Sequence, residues 1–355
     1  MPSVSDQQSP QAAHGAVSPG LARGAAARLE PGSERAALSA LFARASRTSE
    51  RVILPVNDSA FEKNDSARPA FYCVHSLSGA GGMDFHDLAK RLPSLRFFGI
   101  QAPPRKIAEA GFGRSVEAMA EYYASALAKH QPNGPFLLGG WSAGAIIGLE
   151  IAQNLRARGR DVALFVAIDG APENVPERHH PWHPAYLLEV IGNLPGWLVR
   201  GNPVRTEGLR SFVQRTRKKA FALAKNGLRG QADHSAANGD AVEGFMDLSR
   251  YPEDQRSFMK RLYAALLEYT PKTYFGDVLV YEARVRPLFK LPQVGRVWRA
   301  IAPRAKVVRV KGTHLSILRE DDVSALADDL RIRVAGMVPR PSSNDPVSIA
   351  PAQAA

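Results

Sequence analysis

The sequence predicts an α/β protein in which helices cover both faces of a mostly parallel central sheet. Short uninterrupted apolar segments, such as Val162–Ile168, alternate with amphipathic segments of helical period, which is the pattern of buried parallel strands joined by helices. Glycines and prolines fall between these segments, where connecting loops are expected. At 355 residues the chain is long enough for one large domain with a substantial core.

The two ends of the chain differ from this pattern. Residues 1–68 are rich in Ala, Ser, Gly, Pro and Arg, so a mobile arm is predicted there, with one short helix over Glu34–Ala45. The domain is expected to begin near Pro69 and to extend to residue 337. Residues 338–355 are again rich in Pro, Ser and Ala, and a disordered tail is predicted there.

The first strand predicted in the domain is Ala70–Val74, and a glycine-rich loop, residues 75–82 (HSLSGAGG), follows it. The loop lacks the Lys and Ser/Thr of a Walker motif, and its spacing does not match a dinucleotide fingerprint. We therefore expect it to supply a backbone N–H to an oxyanion. A helix over Asp84–Leu92 and a strand over Arg96–Ile100 come next. Ser115 is then the expected N-cap of a helix with one apolar face.

An apolar strand beginning at Phe136 runs directly into Gly-x-Ser-x-Gly, residues 140–144. This arrangement predicts a sharp turn from strand to helix, called here the serine turn, with Ser142 exposed at its tip. Gly140 and Gly144 lie two positions on either side of the serine, where a Cβ would collide as strand and helix approach. The segment after the serine has mostly helical apolar spacing.

The strand Val162–Ile168 follows that helix, and Asp169 comes directly after the strand. From about residue 172 to 269 the alternation of strands and helices breaks down. An insertion of this length is typical of a helical lid over a binding site. The lid contains a basic run between Arg200 and Arg229. It also contains three histidines that we interpret as a surface loop rather than a metal site: His179, His180 and His183.

Regular structure is predicted again in the last part of the chain. A helix is expected over Ser257–Tyr269, followed by strands over Val278–Tyr281 and Lys306–Val310. His314 lies in the loop that leaves the second of these strands. A final helix is predicted over Asp322–Val334.

A serine hydroxyl needs a base and a group that orients the base before it can act as a nucleophile. Ser142, Asp169 and His314 each follow a predicted parallel strand, and they occur in the order nucleophile, acid, histidine that α/β-hydrolases use. We therefore predict an α/β-hydrolase fold with these three residues as a catalytic triad. Glu282 also follows a strand and is the competing candidate for the acid. The oxyanion is expected to bind the backbone N–H groups of Ala143 and, in the glycine-rich loop, Leu77.

The composition of the chain limits which partners, location and cofactors are expected. Lys and Arg number 46 against 34 Asp and Glu, a net charge of +12 that favours acidic partners, although no nucleic-acid-binding motif is found. No apolar run reaches the roughly 20 residues of a membrane span, and the N-terminus lacks the pattern of a secretory signal, so a cytoplasmic protein is expected. Cys73 is the one cysteine and is expected to pack in the core. Neither a metal nor a resident cofactor is predicted.

The motifs from Pro69 to Val334 resemble the thioesterase domains of nonribosomal peptide and polyketide synthases and their stand-alone relatives. The resemblance covers FYCVHSLSGAGG, FGIQAPP, GGWSAG, YAALLEYTPKTYFGDVLVYEA and VKGTHLSIL. It implies a serine thioesterase that releases an acyl or peptidyl group from the phosphopantetheine arm of a carrier protein through an acyl-Ser142 intermediate. It also implies that the acid is Asp169.

Two other functions remain open at the level of sequence. The same acyl-enzyme could pass its acyl group to an amine or hydroxyl, which would make the protein an acyltransferase or cyclase. Alternatively, the chain could be a non-catalytic module that binds a carrier protein or nucleic acid, although the complete set of triad residues favours an enzyme.

Overall fold

A computed structural model describes residues 52–57, 68–103, 115–175, 184–196, 248, 251–286 and 294–335, all within a compact unit over residues 39–355. The strands are β1 Ile53–Pro55, β2 Ala70–Val74, β3 Arg96–Ile100, β4 Phe136–Trp141, β5 Val162–Ile168, β6 Val278–Val285 and β7 Ala305–Thr313. The helices are α1 His86–Lys90, α2 Val116–His130, α3 Ala143–Ala157, α4 Pro184–Gly196, α5 Glu253–Glu268, α6 Val294–Ile301 and α7 Val323–Ala335.

The strands form one seven-stranded sheet in the order β1-β3-β2-β4-β5-β6-β7. Strands β2 to β7 pair in parallel, and β1 pairs antiparallel with β3 at one edge. Ile168 at the end of β5 lies opposite Tyr281 of β6. The carboxyl ends of β4, β5, β6 and β7 therefore meet at one edge, where ligands bind in open parallel sheets.

Each face of the sheet is covered by its own hydrophobic cluster. Helices α2, α3, α5 and α6 pack on one face, where Tyr72 and Val74 of β2 point. Helices α1 and α7 pack on the other face, together with Phe71 and Cys73. The alternation of side chains along β2 thus contributes to both cores, which is why its sequence is apolar at every position. The prediction of helices on both faces is confirmed.

Several predicted elements have the bounds expected from sequence. Strands β2, β3 and β5 begin and end at the predicted residues. The hydroxyl of Ser115 accepts the N–H of Ala118 at 3.2 Å, so this residue caps α2 as expected. Helix α1 covers five residues of the nine predicted, and α5 begins at Glu253, four residues earlier than predicted.

The structure corrects the domain boundary predicted near Pro69. Residues assigned to the mobile arm form β1, and the side-chain amide of Asn57 donates to the carbonyl of Leu95 at 2.9 Å. A three-residue strand that ends in proline is tolerated at a sheet edge but gives almost no periodic signal in sequence. Helix α6 was also not predicted. The helix predicted over Glu34–Ala45, the basic run from Arg200 to Arg229 and the tail 338–355 lie outside the described residues.

Two described helices lie within the segment predicted as the lid. Helix α4 is attached to the end of β6 by a reciprocal pair, in which the Asn193 amide donates to the carbonyl of Arg286 at 2.7 Å and accepts its N–H at 2.9 Å. Helix α5 contacts the glycine-rich loop, because the Gln255 amide donates to the carbonyl of Ser78 at 2.8 Å. In the part of the chain that the structure describes, no helix combines the length and apolar character needed to cross a membrane.

Candidate active site

Ser142 lies at the tip of the serine turn with backbone angles φ 57° and ψ −119°, a conformation that costs free energy for a residue with a Cβ. A Cβ at Gly140 would lie 2.0 Å from the carbonyl oxygen of Gly144. A Cβ at Gly144 would lie 2.2 Å from the carbonyl oxygen of Val74. The two glycines therefore allow β4, α3 and the end of β2 to approach closely enough to hold the serine in this turn.

Asp169 is buried directly after β5 and also has a positive φ, 46°. Its backbone N–H donates to the carbonyl of Tyr281 at 2.7 Å, and its Oδ1 accepts the N–H of Ala283 at 2.7 Å. The following residue, Gly170, packs against the serine turn, because a Cβ there would lie 2.1 Å from the carbonyl oxygen of Ser142. The carboxylate is thus fixed between the ends of β5 and β6.

His314 joins these two residues from the loop after β7. Its Nδ1 lies 2.8 Å from Oδ2 of Asp169, and its Nε2 lies 3.0 Å from Oγ of Ser142. Since a carboxylate only accepts hydrogen bonds, Nδ1 carries the proton, and the Nε2 lone pair faces the serine hydroxyl. This is the arrangement in which a histidine can act as a general base toward a serine.

The loop that carries His314 is held by a small hydrogen-bond network. The Ser316 hydroxyl accepts the N–H of Thr313 at 2.9 Å and donates to Oδ2 of Asp322 at 2.6 Å. Gly312 has φ 108°, and a Cβ there would lie 2.8 Å from the same carboxylate oxygen. The network therefore fixes the backbone on both sides of the histidine.

The ring of Trp141, the residue before the serine, lies 5.4 Å from the ring of His314 at an angle of 33°. Trp141 is buried, and its Nε1 has no hydrogen-bond partner among the described residues. The indole therefore packs beside the imidazole of His314 and limits the positions that the ring can take.

Glu282, the competing candidate for the acid, points elsewhere. Its Oε2 accepts the Nε–H of Arg309 at 2.9 Å, and its Oε1 lies 3.7 Å from a guanidinium nitrogen of Arg286. Within the described residues it makes no recorded contact with His314. Glu282 is therefore a buried carboxylate that pairs with two arginines beside α6.

The two backbone groups predicted to bind an oxyanion lie in neighbouring segments. Ala143 begins α3, so its N–H has no acceptor within the helix. Leu77 is buried in the glycine-rich loop, and its N–H has no hydrogen-bond partner within the ranges that the structure describes. The loop touches the start of α3, because a Cβ at Gly144 would lie 2.6 Å from the carbonyl oxygen of His75.

The other chemistry-bearing residues singled out in the sequence do not join this site. Cys73 is buried, which raises the pKa of its thiol, so it packs rather than reacts. The described residues contain no group of three or more His, Cys, Asp or Glu side chains that could hold a metal ion. His179, His180 and His183 lie outside the described residues.

Comparisons with known proteins indicate the family of the chain. A family model described as "Thioesterase domain" matches residues 69–332. The chondramide synthase cmdD of Chondromyces crocatus is 25% identical over 268 residues, which cover 71% of this chain and 6% of that synthase. The non-reducing polyketide synthase atnG of an Arthrinium species is 40% identical over 88 residues, which cover 24% of this chain and 4% of that synthase. The chain thus spans only a small part of the length of the curated relatives it matches.

A solved structure of a four-domain nonribosomal peptide synthetase bound to AMP and glycine shares the fold, with a TM-score of 0.50 and 22% identity over 82% of this chain and 20% of that one. Together with the mostly parallel sheet and its two helical layers, this likeness confirms the predicted α/β-hydrolase fold. Because the family model covers most of its length, the chain belongs to the thioesterase domain family.

Proposed function

We propose that this protein is a serine thioesterase in which the hydroxyl of Ser142 attacks the carbonyl carbon of a thioester. The observation that carries the proposal is the continuous hydrogen-bonded series from Asp169 through His314 to Ser142, with contacts of 2.8 and 3.0 Å. In this role His314 is the general base, and Asp169 orients its ring and stabilises the imidazolium that forms.

The acylation step follows from these contacts. As Oγ of Ser142 bonds to the carbonyl carbon, its proton moves to Nε2 of His314, and the carbonyl oxygen becomes an oxyanion. The N–H groups of Ala143 and Leu77 would donate to that oxygen. When the carbon–sulfur bond breaks, the sulfur leaves as a thiol with the proton from Nε2, and an ester on Ser142 remains. Water then repeats the sequence and releases a carboxylic acid.

The proposed substrate is an acyl or peptidyl group held as a thioester on the phosphopantetheine arm of a carrier protein. Family membership supports the thioester, and the similarity to polyketide and chondramide synthases supports a substrate from secondary-metabolite biosynthesis. The phosphopantetheine belongs to the carrier protein and is part of the substrate.

Hydrolysis is the reaction that the site supports best. The side chain of His314, which would deprotonate the attacking water, is 37% exposed. Transfer of the acyl group to an amine or hydroxyl would use the same acyl-Ser142 intermediate, and only the final acceptor would differ.

A product assay distinguishes these outcomes. Wild-type protein and Ser142→Ala would be incubated with a panel of acyl-pantetheine thioesters, with and without an amine acceptor, and the products identified by mass spectrometry. We expect free acid from the wild type and none above background from the variant. Amide as the sole product would replace hydrolysis with transfer, and equal activity in Ser142→Ala would overturn the serine mechanism.

A further inference from the structure

His75 begins the glycine-rich loop and is fully buried, with both ring nitrogens in hydrogen bonds. Its Nδ1 lies 2.6 Å from the carbonyl oxygen of the next residue, Ser76. Its Nε2 lies 2.7 Å from the hydroxyl of Tyr123 on α2. The imidazole therefore connects the loop to a core helix.

The partners define the proton positions on this ring. A carbonyl oxygen only accepts hydrogen bonds, so Nδ1 of His75 must be the donor to Ser76. Nε2 then accepts the O–H of Tyr123. Burial lowers the pKa of His75 to about 4, so the ring is neutral at neutral pH and keeps this tautomer.

The bond to Ser76 has a consequence for the next residue. The carbonyl of Ser76 and the N–H of Leu77 belong to one trans peptide unit, in which the two bonds point in opposite directions. An anchor on the carbonyl therefore fixes the direction of the Leu77 N–H. The same carbonyl also accepts the N–H of Gly79 at 3.1 Å, which closes the turn around Leu77.

Of the backbone N–H groups from residue 75 to 80, that of Leu77 is the one without an acceptor among the described residues. The other five have acceptors among the described residues: the His75 group bonds to Ile100, the Ser76 group to Asp84, the Gly79 group to Ser76, and the Ser78 and Ala80 groups to the hydroxyls of Ser76 and Ser78. Buried N–H groups are normally paired. An unpaired one beside the serine turn is therefore available to an anion.

We propose that His75, held by Tyr123, is a positioning residue that directs the Leu77 N–H toward the oxyanion formed on attack by Ser142. The inference rests on the proposed serine thioesterase function and adds a residue to it. His75 itself contacts neither the triad nor the substrate carbonyl. Its effect is on the stability of the tetrahedral intermediate rather than on substrate binding.

Two substitutions separate the contacts of the ring. His75→Asn keeps an amide donor near the position of Nδ1, so it can still bond to Ser76. His75→Gln places its amide near the position of Nε2, so it can reach Tyr123 but not the Ser76 carbonyl. We expect His75→Gln to lower kcat for an acyl-pantetheine thioester by about 10- to 100-fold with little change in KM, because one oxyanion donor is misdirected. The kcat of His75→Asn should be close to the wild-type value, because this variant keeps the bond to Ser76.

Binding of a trifluoromethyl ketone analogue supplies a second measurement. The ketone forms a tetrahedral adduct with a serine, so its affinity reports on the oxyanion donors. We expect His75→Gln to weaken this binding by about the same factor as kcat. Tyr123→Phe should cause a smaller loss in the same direction, and it tests the proposal if the His75 variants do not fold.

The outcomes distinguish this proposal from the one on which it rests. A folded His75→Gln variant with wild-type kcat and wild-type affinity for the ketone would overturn the role of His75 while leaving the thioesterase proposal intact. A folded His75→Asn variant whose kcat is no higher than that of His75→Gln would also overturn the role of His75. A wild-type protein that cleaves no thioester and forms no ketone adduct would overturn both proposals.

Discussion

Asp169 uses its two carboxylate oxygens for two different partners: Oδ2 lies 2.8 Å from Nδ1 of His314, and Oδ1 accepts the N–H of Ala283 at 2.7 Å. The second bond fixes the carboxylate to the end of β6, so the first can hold the imidazole in one orientation. Charge-assisted bonds of this kind are stronger than neutral ones. Strand pairing between β5 and β6 thereby sets the geometry of the proposed base.

Asp169→Asn tests the identity of the acid. An amide can donate to Nδ1 and favour the wrong tautomer of His314, so kcat should fall by about 10⁴-fold while the fold is retained. The matched control is Glu282→Gln, which alters the neighbouring strand end and its ion pairs with Arg309 and Arg286. This control should lose some stability, because the neutral amide weakens both ion pairs, while Arg286 keeps its 3.0 Å ion pair with Glu189. Its kcat per folded molecule should stay close to the wild-type value.

Steady-state kinetics on folded fractions, with thermal unfolding measured in parallel, distinguish the two variants. A larger loss of kcat in Glu282→Gln than in Asp169→Asn would reassign the acid to Glu282.

Gly144→Ala tests the close contact that shapes the serine turn. The new Cβ would lie 2.2 Å from the carbonyl oxygen of Val74, so strand and helix must separate, at a cost of about 3 kcal/mol. Gly192 in α4 is the control, because a Cβ there meets no atom of the described residues within 4 Å. Gly192→Ala should stabilise by up to about 1 kcal/mol through helix propensity. Denaturant unfolding measures both changes, and equal stability of the two variants would refute the packing argument.

Ser316→Ala tests the network that holds the His314 loop. The substitution removes the acceptor for the Thr313 N–H and the donor to Asp322. We expect kcat to fall by about 10-fold, because a small displacement of the base is costly for the reaction. KM should change little, since the Ser316 hydroxyl bonds to Thr313 and Asp322 within the loop. Unchanged kcat would show that the histidine keeps its position without the network.

Acid should destabilise the protein partly through His75. Burial lowers its folded pKa to about 4 from an ordinary value of 6.5, so the unfolded chain binds the proton first as pH falls. Stability is therefore fully present above pH 6.5 and is lost as pH falls toward 4, by about 3 kcal/mol from this group. Comparing wild type with His75→Asn at each pH cancels the contributions of other groups. If the free energy of unfolding depends on pH in the same way in the two proteins, the prediction is wrong.

Much of the fold could be predicted because its strands carry strong local signals. Val162–Ile168 is apolar throughout because β5 is buried on both faces, and its strand has those bounds in the structure. The glycines of the serine turn follow from sterics alone, and the contacts at Gly140 and Gly144 are the ones expected. The sequence also carries a signal for α6, which the prediction lacks. Four of its apolar residues have helical spacing and are buried: Val294, Val297, Trp298 and Ile301.

Other features depend on contacts between distant segments. Asp169 and Glu282 both follow strands, and only the direction of each side chain separates them: Asp169 has a positive φ, and Glu282 faces the arginines beside α6. Strand β7 extends to Thr313 because it pairs with β6 as far as Val285. The role of His75 depends on Tyr123, 48 residues later in the chain. Local patterns contain none of this information.

Acylation of Ser142 is tested most directly by peptide mass spectrometry after rapid quenching. Wild-type protein would be mixed with an acyl-pantetheine thioester, quenched in acid within the first turnover and digested, with Ser142→Ala treated in the same way. We expect the peptide containing Ser142 to gain the mass of the acyl group in the wild type and not in the variant. Turnover at the wild-type rate in Ser142→Ala, with no acylated peptide in either protein, would contradict this expectation.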